Sequence, residues 1–153
     1  MRIIVCVKQV HRMIHPTAVD LVTGQADPGL MVDLLNPDDE VAVEAALRIR
    51  EAVPGTTLAV VTVGPPEAER ALRFAAAMGG GLVDRLVRVD AEPADAWCAA
   101  RLLAASIRSI GFDLILCGRR AIDTNGGQLG TFVAALVDAA QVSGIVRLEL
   151  RPA

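Results

Sequence analysis

The sequence predicts an α/β fold in three layers, a parallel sheet with helices on both faces, and three observations carry that reading. Apolar runs of strand length alternate with segments of helical period, the pattern of successive βαβ units. The clearest runs, Ile3–Val7, Leu58–Val63 and Asp113–Cys117, are nearly continuous rather than alternating, as strands covered on both faces should be. A chain of 153 residues with 53% hydrophobic content is sized for one domain around one core and is too apolar to be disordered.

Taken in order, Ile3–Val7 is the first strand. Val10 to Leu35 reads as a β-hairpin excursion, its turn at Thr23-Gly24 between Val19–Val22 and Leu30–Val32. Asn36-Pro37 opens the best-marked helix: Asn caps free N–H groups, Pro tolerates the first helical position, and Asp38, Asp39 and Glu40 sit at the positive end of the dipole. Ala42, Ala46, Ile49 and Val53 share one face, Glu44 and Arg48 form an i,i+4 pair, and Pro54-Gly55 ends the helix. Leu58–Val63 follows. A second helix is expected from Pro66 to about Met78, stopped by Gly79-Gly80-Gly81. A third covers Ala94 to Ser109 before Gly111, and a fourth runs from near Gln128 through Ala139. Leu86–Val89 and Ile145–Leu150 alternate apolar with charged residues and are read as strands nearer the sheet edges.

Composition excludes several classes. With 15 Lys+Arg against 18 Asp+Glu the net charge is -3, which offers no general attraction to nucleic acid or anionic lipid, so any phosphate site must be local. Cys6, Cys98 and Cys117 lie far apart without a C-x-x-C pair, which favours a reducing, cytoplasmic setting over a disulfide framework. No stretch resembles a signal peptide or a membrane span, so membrane insertion is not expected. His11 and His15 are four apart without a third ligand spaced to join them, and exposed loop histidines are the favoured reading. No Ser/His/Asp order or G-x-S-x-G elbow points to a hydrolase. Trp97 and the three phenylalanines read as core or interface residues.

In an open parallel sheet, ligands bind beyond the carboxyl ends of the strands, where strand order reverses. Those ends deliver Cys6 to Gln9, Val63 to Pro66, and Gly118 to Gly130. The last stretch, Gly118-Arg119-Arg120-Ala121-Ile122-Asp123-Thr124-Asn125-Gly126-Gly127-Gln128-Leu129-Gly130, joins four glycines and two arginines directly before a helix. Glycines let amides approach a phosphate, and the helix dipole favours its charge. Composition alone would allow a plain surface loop, and neither G-x-G-x-x-G nor a P-loop is present. Position after a central strand favours an anion or nucleotide loop. Asp123 reads equally as a ribose or amide partner and as a turn former. Cys6 and Cys117, inside strands, read as buried small hydrophobes.

Cys6-Val7-Lys8-Gln9-Val10, Asn36-Pro37-Asp38-Asp39-Glu40 continuing through Ala42 to Arg48, Val63-Gly64-Pro65, Ala77-Met78-Gly79 and Asp113 to Gly130 together resemble the β subunit of electron transfer flavoproteins, in order and over nearly the whole chain. The resemblance implies a Rossmann-like domain of the adenine nucleotide alpha hydrolase and universal stress type. It implies a bound adenine nucleotide, AMP in ordinary members and a second FAD in members that bifurcate electrons. Mapped by motif, the site comprises Cys6, Asn36 to Asp39, Val63 and Gly118 to Leu129. Cys6 and Val63 would present backbone groups near the adenine, and Asn125, Gly126, Gly127 and Gln128 would hold phosphate. The resemblance further implies an α subunit carrying FAD, electrons taken from dehydrogenases such as acyl-CoA dehydrogenases toward a quinone oxidoreductase or another acceptor, and no bond chemistry by this chain.

Arg120 stands where that family usually has Gln, and Thr124-Asn125-Gly126 replaces a more acidic stretch, which makes the phosphate end more positive and leaves AMP against a dinucleotide open. Gly80-Gly81-Leu82-Val83 is longer than the family's single residue there, so the following strand is expected to shift. Family members continue past position 153 into a segment that packs on the α subunit and docks the dehydrogenase; docking is therefore open. Two alternatives stand beside this reading: a free-standing adenine-nucleotide module of universal-stress type, and an ATP pyrophosphatase, the latter disfavoured because Lys8-Gln9-Val10 occupies the place of its Ser-Gly-Gly-x-Asp-like loop. The 53% apolar content lies above the usual 45–50% and favours a covered apolar face.

Overall fold

Successive strand residues point to opposite faces of a sheet, so strands apolar at every position need helices on both sides, and a computed structural model describing residues 1–13 and 19–150 shows that arrangement. The elements are β1 (Arg2–Cys6), β2 (Gln9–Met13), β3 (Met31–Leu35), α1 (Pro37–Ala52), β4 (Thr57–Gly64), α2 (Glu69–Met78), β5 (Arg85–Asp90), α3 (Ala96–Ile110), β6 (Leu114–Cys117) and α4 (Leu129–Val137), with 3-10 turns at Pro28–Leu30 and Pro66–Ala68. Four strands form a parallel sheet in the order β5-β4-β1-β6. Ile3, Val5, Leu58 and Val60 pack under α1 and α2 with Val43, Ala46, Leu47, Leu72 and Ala75. Ile4, Cys6, Ala59 and Val61 pack on the other face against Ala100, Leu103 and Ile107 of α3 and Val133 of α4. Trp97 of α3, itself half-exposed, meets Phe132 of α4 edge-to-face at 5.3 Å and closes that layer rather than entering the core.

The chain runs from β1 outward to β4 and β5, then returns by α3 to place β6 on the other side of β1. Strand order therefore reverses between β1 and β6, and loops leaving these two strands diverge to opposite faces. The expected edge position of Leu86–Val89 is found in β5, which begins at Arg85 directly after the glycine-rich 79–84 turn.

Two expectations need correction. The excursion after β1 is a hairpin, but its strands are β2 and β3, paired antiparallel from Gln9↔Leu35 to Met13↔Met31. Val19–Val22 is not a strand: only Val19 bridges to Ala26, and Asp20 Oδ1 accepts the N–H groups of Val22 and Thr23 at 2.7 and 3.0 Å, curling the chain into a turn that competes with strand pairing. Leu21 and Val22 are left almost fully exposed. His15 lies outside the described residues. Ile145–Leu150 is likewise no strand; residues 146–150 lie beside the outer face of α1, with Val146 fully exposed.

Candidate nucleotide site

Asn36 is wholly buried at the start of α1, and it does not cap that helix with its side chain. Its Nδ2 donates to the Arg120 carbonyl at 2.8 Å and its Oδ1 accepts the Ile122 N–H at 3.1 Å, across more than 80 residues of sequence. A buried amide used at both ends fixes the backbone it touches, because either loop group left alone would be buried without a partner. The expected cap is thus replaced by a clamp on the loop that follows β6.

One residue past the next turn of chain, Asp39 is buried with its Oδ2 accepting the Lys8 N–H at 2.8 Å. Burial pushes its carboxyl up to about 7, against the opposing pull of N–H donors on Asn36, Lys8 and Gly118; the neighbouring charge of Asp38 adds to the rise. Lys8 also accepts the Asn36 N–H on its carbonyl at 3.0 Å, so the end of β1 and the start of α1 are stitched twice. Its side chain reaches the other way, Nζ to Asp123 Oδ2 at 2.6 Å. Asp123 thus sits in the turn over 122–124, as one of its two readings had it, and is in addition an ion-pair partner.

Beyond Asp123 the loop opens. Residues 124–128 are exposed, Asn125 and Gly127 adopt positive φ of 54° and 62°, and Arg120 Nη1 donates to Asn125 Oδ1 at 2.5 Å. The loop leads into α4, which has no side-chain cap and no acidic residue in its first turn. Free amides at a helix start, arginines beside them and no opposing carboxylate suit an anionic oxygen group. Cys6 lies beneath, at the end of β1, in register with Cys117 of β6. Its thiol is pushed well above the usual range by its contact with Cys117, then by burial and by the charge on Asp39, so it is a neutral, buried group. Val63 is the penultimate residue of β4, two residues past the Cys6↔Val61 pair, toward the same edge.

All four predicted segments, Cys6, Asn36 to Asp39, Val63 and Gly118 to Leu129, thus meet the carboxyl edge of the sheet, and hydrogen bonds join the second to the fourth. Lys8, delivered to this edge by the strand-end rule but outside the four segments, links the second to the fourth through Asp39 and Asp123. His11, weighed as a metal ligand, instead has Nδ1 2.5 Å from Asp33 Oδ1, and Arg70 of α2 ties the same carboxylate at 2.8 Å. Among the described residues no cluster of three or more His, Cys, Asp or Glu side chains is arranged to hold a metal ion. A cavity of about 1310 Å³ runs along the outer face of α1, from Pro37 to Val53, beside residues 146–150.

With the edge so built, comparison with known proteins decides the family: residues 32–153 match the electron transfer flavoprotein domain. The chain belongs to the electron transfer flavoprotein domain family. It is 36% identical over 150 residues to the electron transfer flavoprotein subunit beta of Thermoanaerobacterium thermosaccharolyticum, covering 98% of this chain and 57% of that one. It is 41% identical over 135 residues to the caffeyl-CoA reductase-Etf complex subunit CarD of Acetobacterium woodii, covering 88% and 51%. It is 36% identical over 149 residues to the acryloyl-CoA reductase electron transfer subunit gamma of Anaerotignum propionicum, covering 94% and 54%. This electron transfer flavoprotein domain spans about half the length of the curated relatives it matches. No helix among its described residues is long and apolar enough to cross a membrane.

Proposed function

We propose that this chain forms the adenine-nucleotide-holding part of an electron transfer flavoprotein β-type subunit. Its nucleotide is AMP or a second FAD, and its partner is an α subunit carrying the redox FAD. The assembly shuttles electrons from dehydrogenases, acyl-CoA dehydrogenases among them, to a quinone oxidoreductase or another acceptor. The observation that carries this reading is the clamp of Asn36 on the loop at Arg120 and Ile122, which sets an uncapped helix start beside two arginines at the crevice between β1 and β6.

The residues fit an adenine nucleotide. The N–H groups at the start of α4, with Gly126, where an added β-carbon would meet nothing within 4 Å, leave room for phosphate oxygens. Arg119 and Arg120 supply positive charge, and Cys6 and Val63 offer backbone at the strand ends for the base. FAD, when bound, supplies reversible electron uptake; AMP supplies none and holds the loop in place. In this reading the chain's own residues bind and orient the nucleotide and carry out no bond chemistry. Names of relatives as subunits of CoA-ester reductase complexes favour a CoA-linked electron source. Exposed Val41 and Trp97 favour a covering partner. Family membership sets the free-standing stress-type module second.

Native purification followed by acid release and chromatography with an absorbance spectrum tests this. AMP or FAD in the extract, with a flavin-bearing chain co-purifying, is expected. An empty extract from a protein that neither AMP nor FAD restores would reject it.

A further inference from the structure

We propose that the Lys8–Asp123 ion pair is a strap across the crevice between β1 and β6 that slows the exchange of the bound adenine nucleotide, with Lys8 acting as a positioning residue for the loop. This rests on the nucleotide reading above and assigns a part to a residue outside the segments mapped to that site. Lys8 is a fixed base: its N–H donates to Asp39 Oδ2 at 2.8 Å and its carbonyl accepts the Asn36 N–H at 3.0 Å. From that base the ammonium reaches a carboxylate 115 residues away, in the loop that follows β6 on the other side of the crevice, at 2.6 Å. The loop is held behind Asp123 by Asn36 at Arg120 and Ile122. Ahead of Asp123, the bonds of Thr124 to Gln128 among the described residues stay within the loop and the first turn of α4. Asp123 is thus the last point at which the phosphate-facing half is tied to the rest of the fold.

The two side chains are 41% and 27% exposed, so water and salt reach the pair, and it breaks and remakes readily. That makes it a tunable restraint. Because the ammonium is committed to Asp123, the cations left facing the loop opening are Arg119 and Arg120. Lys8 then acts on nucleotide through the loop, and removing its charge changes how long the nucleotide stays more than what the pocket recognises.

The test is displacement of N-methylanthraniloyl-AMP by excess AMP in stopped flow, on the full chain in the complex as it purifies; where FAD is the occupant, its own fluorescence is followed. Lys8→Met is expected to speed release by about two- to fivefold and to reduce its salt dependence to what the contacts of Arg119 and Arg120 with phosphate contribute. Lys8→Arg should keep release slow, and the exchanged pair Lys8→Asp with Asp123→Lys should restore it, neither of which a merely structural lysine would do. Trypsin cleavage after Arg119 and Arg120 in the native protein gives a readout that needs no nucleotide, and Lys8→Met should accelerate it. Unchanged release and unchanged cleavage in Lys8→Met would overturn the strap. Wild-type protein that binds neither nucleotide would reject the proposed function instead, and the cleavage comparison would still decide the strap.

Discussion

The backbone of Gly118 passes so close to Asp39 that a β-carbon on Gly118 would lie 2.8 Å from the Asp39 amide nitrogen and inside the contact distance of its carboxylate. The end of β6 and the first turn of α1 are therefore in direct main-chain contact, and the loop's origin is set by that approach. Gly118→Ala is expected to cost about 1–3 kcal/mol, the range for forcing extra carbon into a packed site, because the added carbon meets the backbone of Asp38 and Asp39 as well as the buried Asp39 carboxylate. Urea unfolding should show the midpoint drop at unchanged slope.

Asp39 makes the same junction sensitive to pH. Its carboxyl titrates near 3.8 in the unfolded chain and at about 7 when folded, burial being the main cause. Between those values the folded state holds the extra proton, so the stability contributed by this group is full below the unfolded value and is lost as pH rises through about 7. The shift corresponds to a few kcal/mol in order of magnitude. Subtracting the unfolding free energies of Asp39→Asn from those of wild type, from about pH 4 to about pH 8, should give a difference that falls with rising pH; a flat difference would contradict the assignment.

Asn36→Ala removes both bonds to the loop and leaves the Arg120 carbonyl and the Ile122 N–H without partners. A loss of about 2 kcal/mol or more is expected from two deserted polar groups. Adenine-nucleotide affinity, read by calorimetric titration, should fall with it, since the glycine segment is no longer held at its near end.

Cys6 should resist alkylation in the folded protein. It is buried, it contacts Cys117, and its thiol is held in the neutral form by that contact, by burial and by Asp39, whereas the thiolate is the reactive species. Mass mapping after native iodoacetamide treatment should find Cys6 unmodified until denaturant is added; rapid native labelling would contradict its placement.

How much of this could be read from the chain depends on where the partners lie. β1, β4 and β6 were legible because continuous apolar runs report burial on both faces, and α1 because Pro37 and its acidic first turn are local signals. The strand-end rule grouped Cys6, Val63 and the loop after Cys117, and the structure brings all three to one edge of the sheet. Ile145–Leu150 misled because alternation says only that one face can be buried; a strand also needs a free neighbour, and this segment lies beside α1 instead. Val19–Val22 misled because the Asp20 side chain captures two amides locally. Asn36 was read as a cap since nothing nearby announces partners at positions 120 and 122. The pairing of Lys8 with Asp123 was hidden for the same reason: the two lie 115 residues apart.

Amide hydrogen exchange on the stripped protein, with and without saturating AMP, tests most directly the claim that an adenine nucleotide is held at the carboxyl edge between β1 and β6. The account predicts added protection concentrated in residues 36–39 and 124–131, with the outer face of α1 and residues 146–150 unchanged. Protection appearing instead along that outer face, or none at all with AMP or FAD, would contradict it.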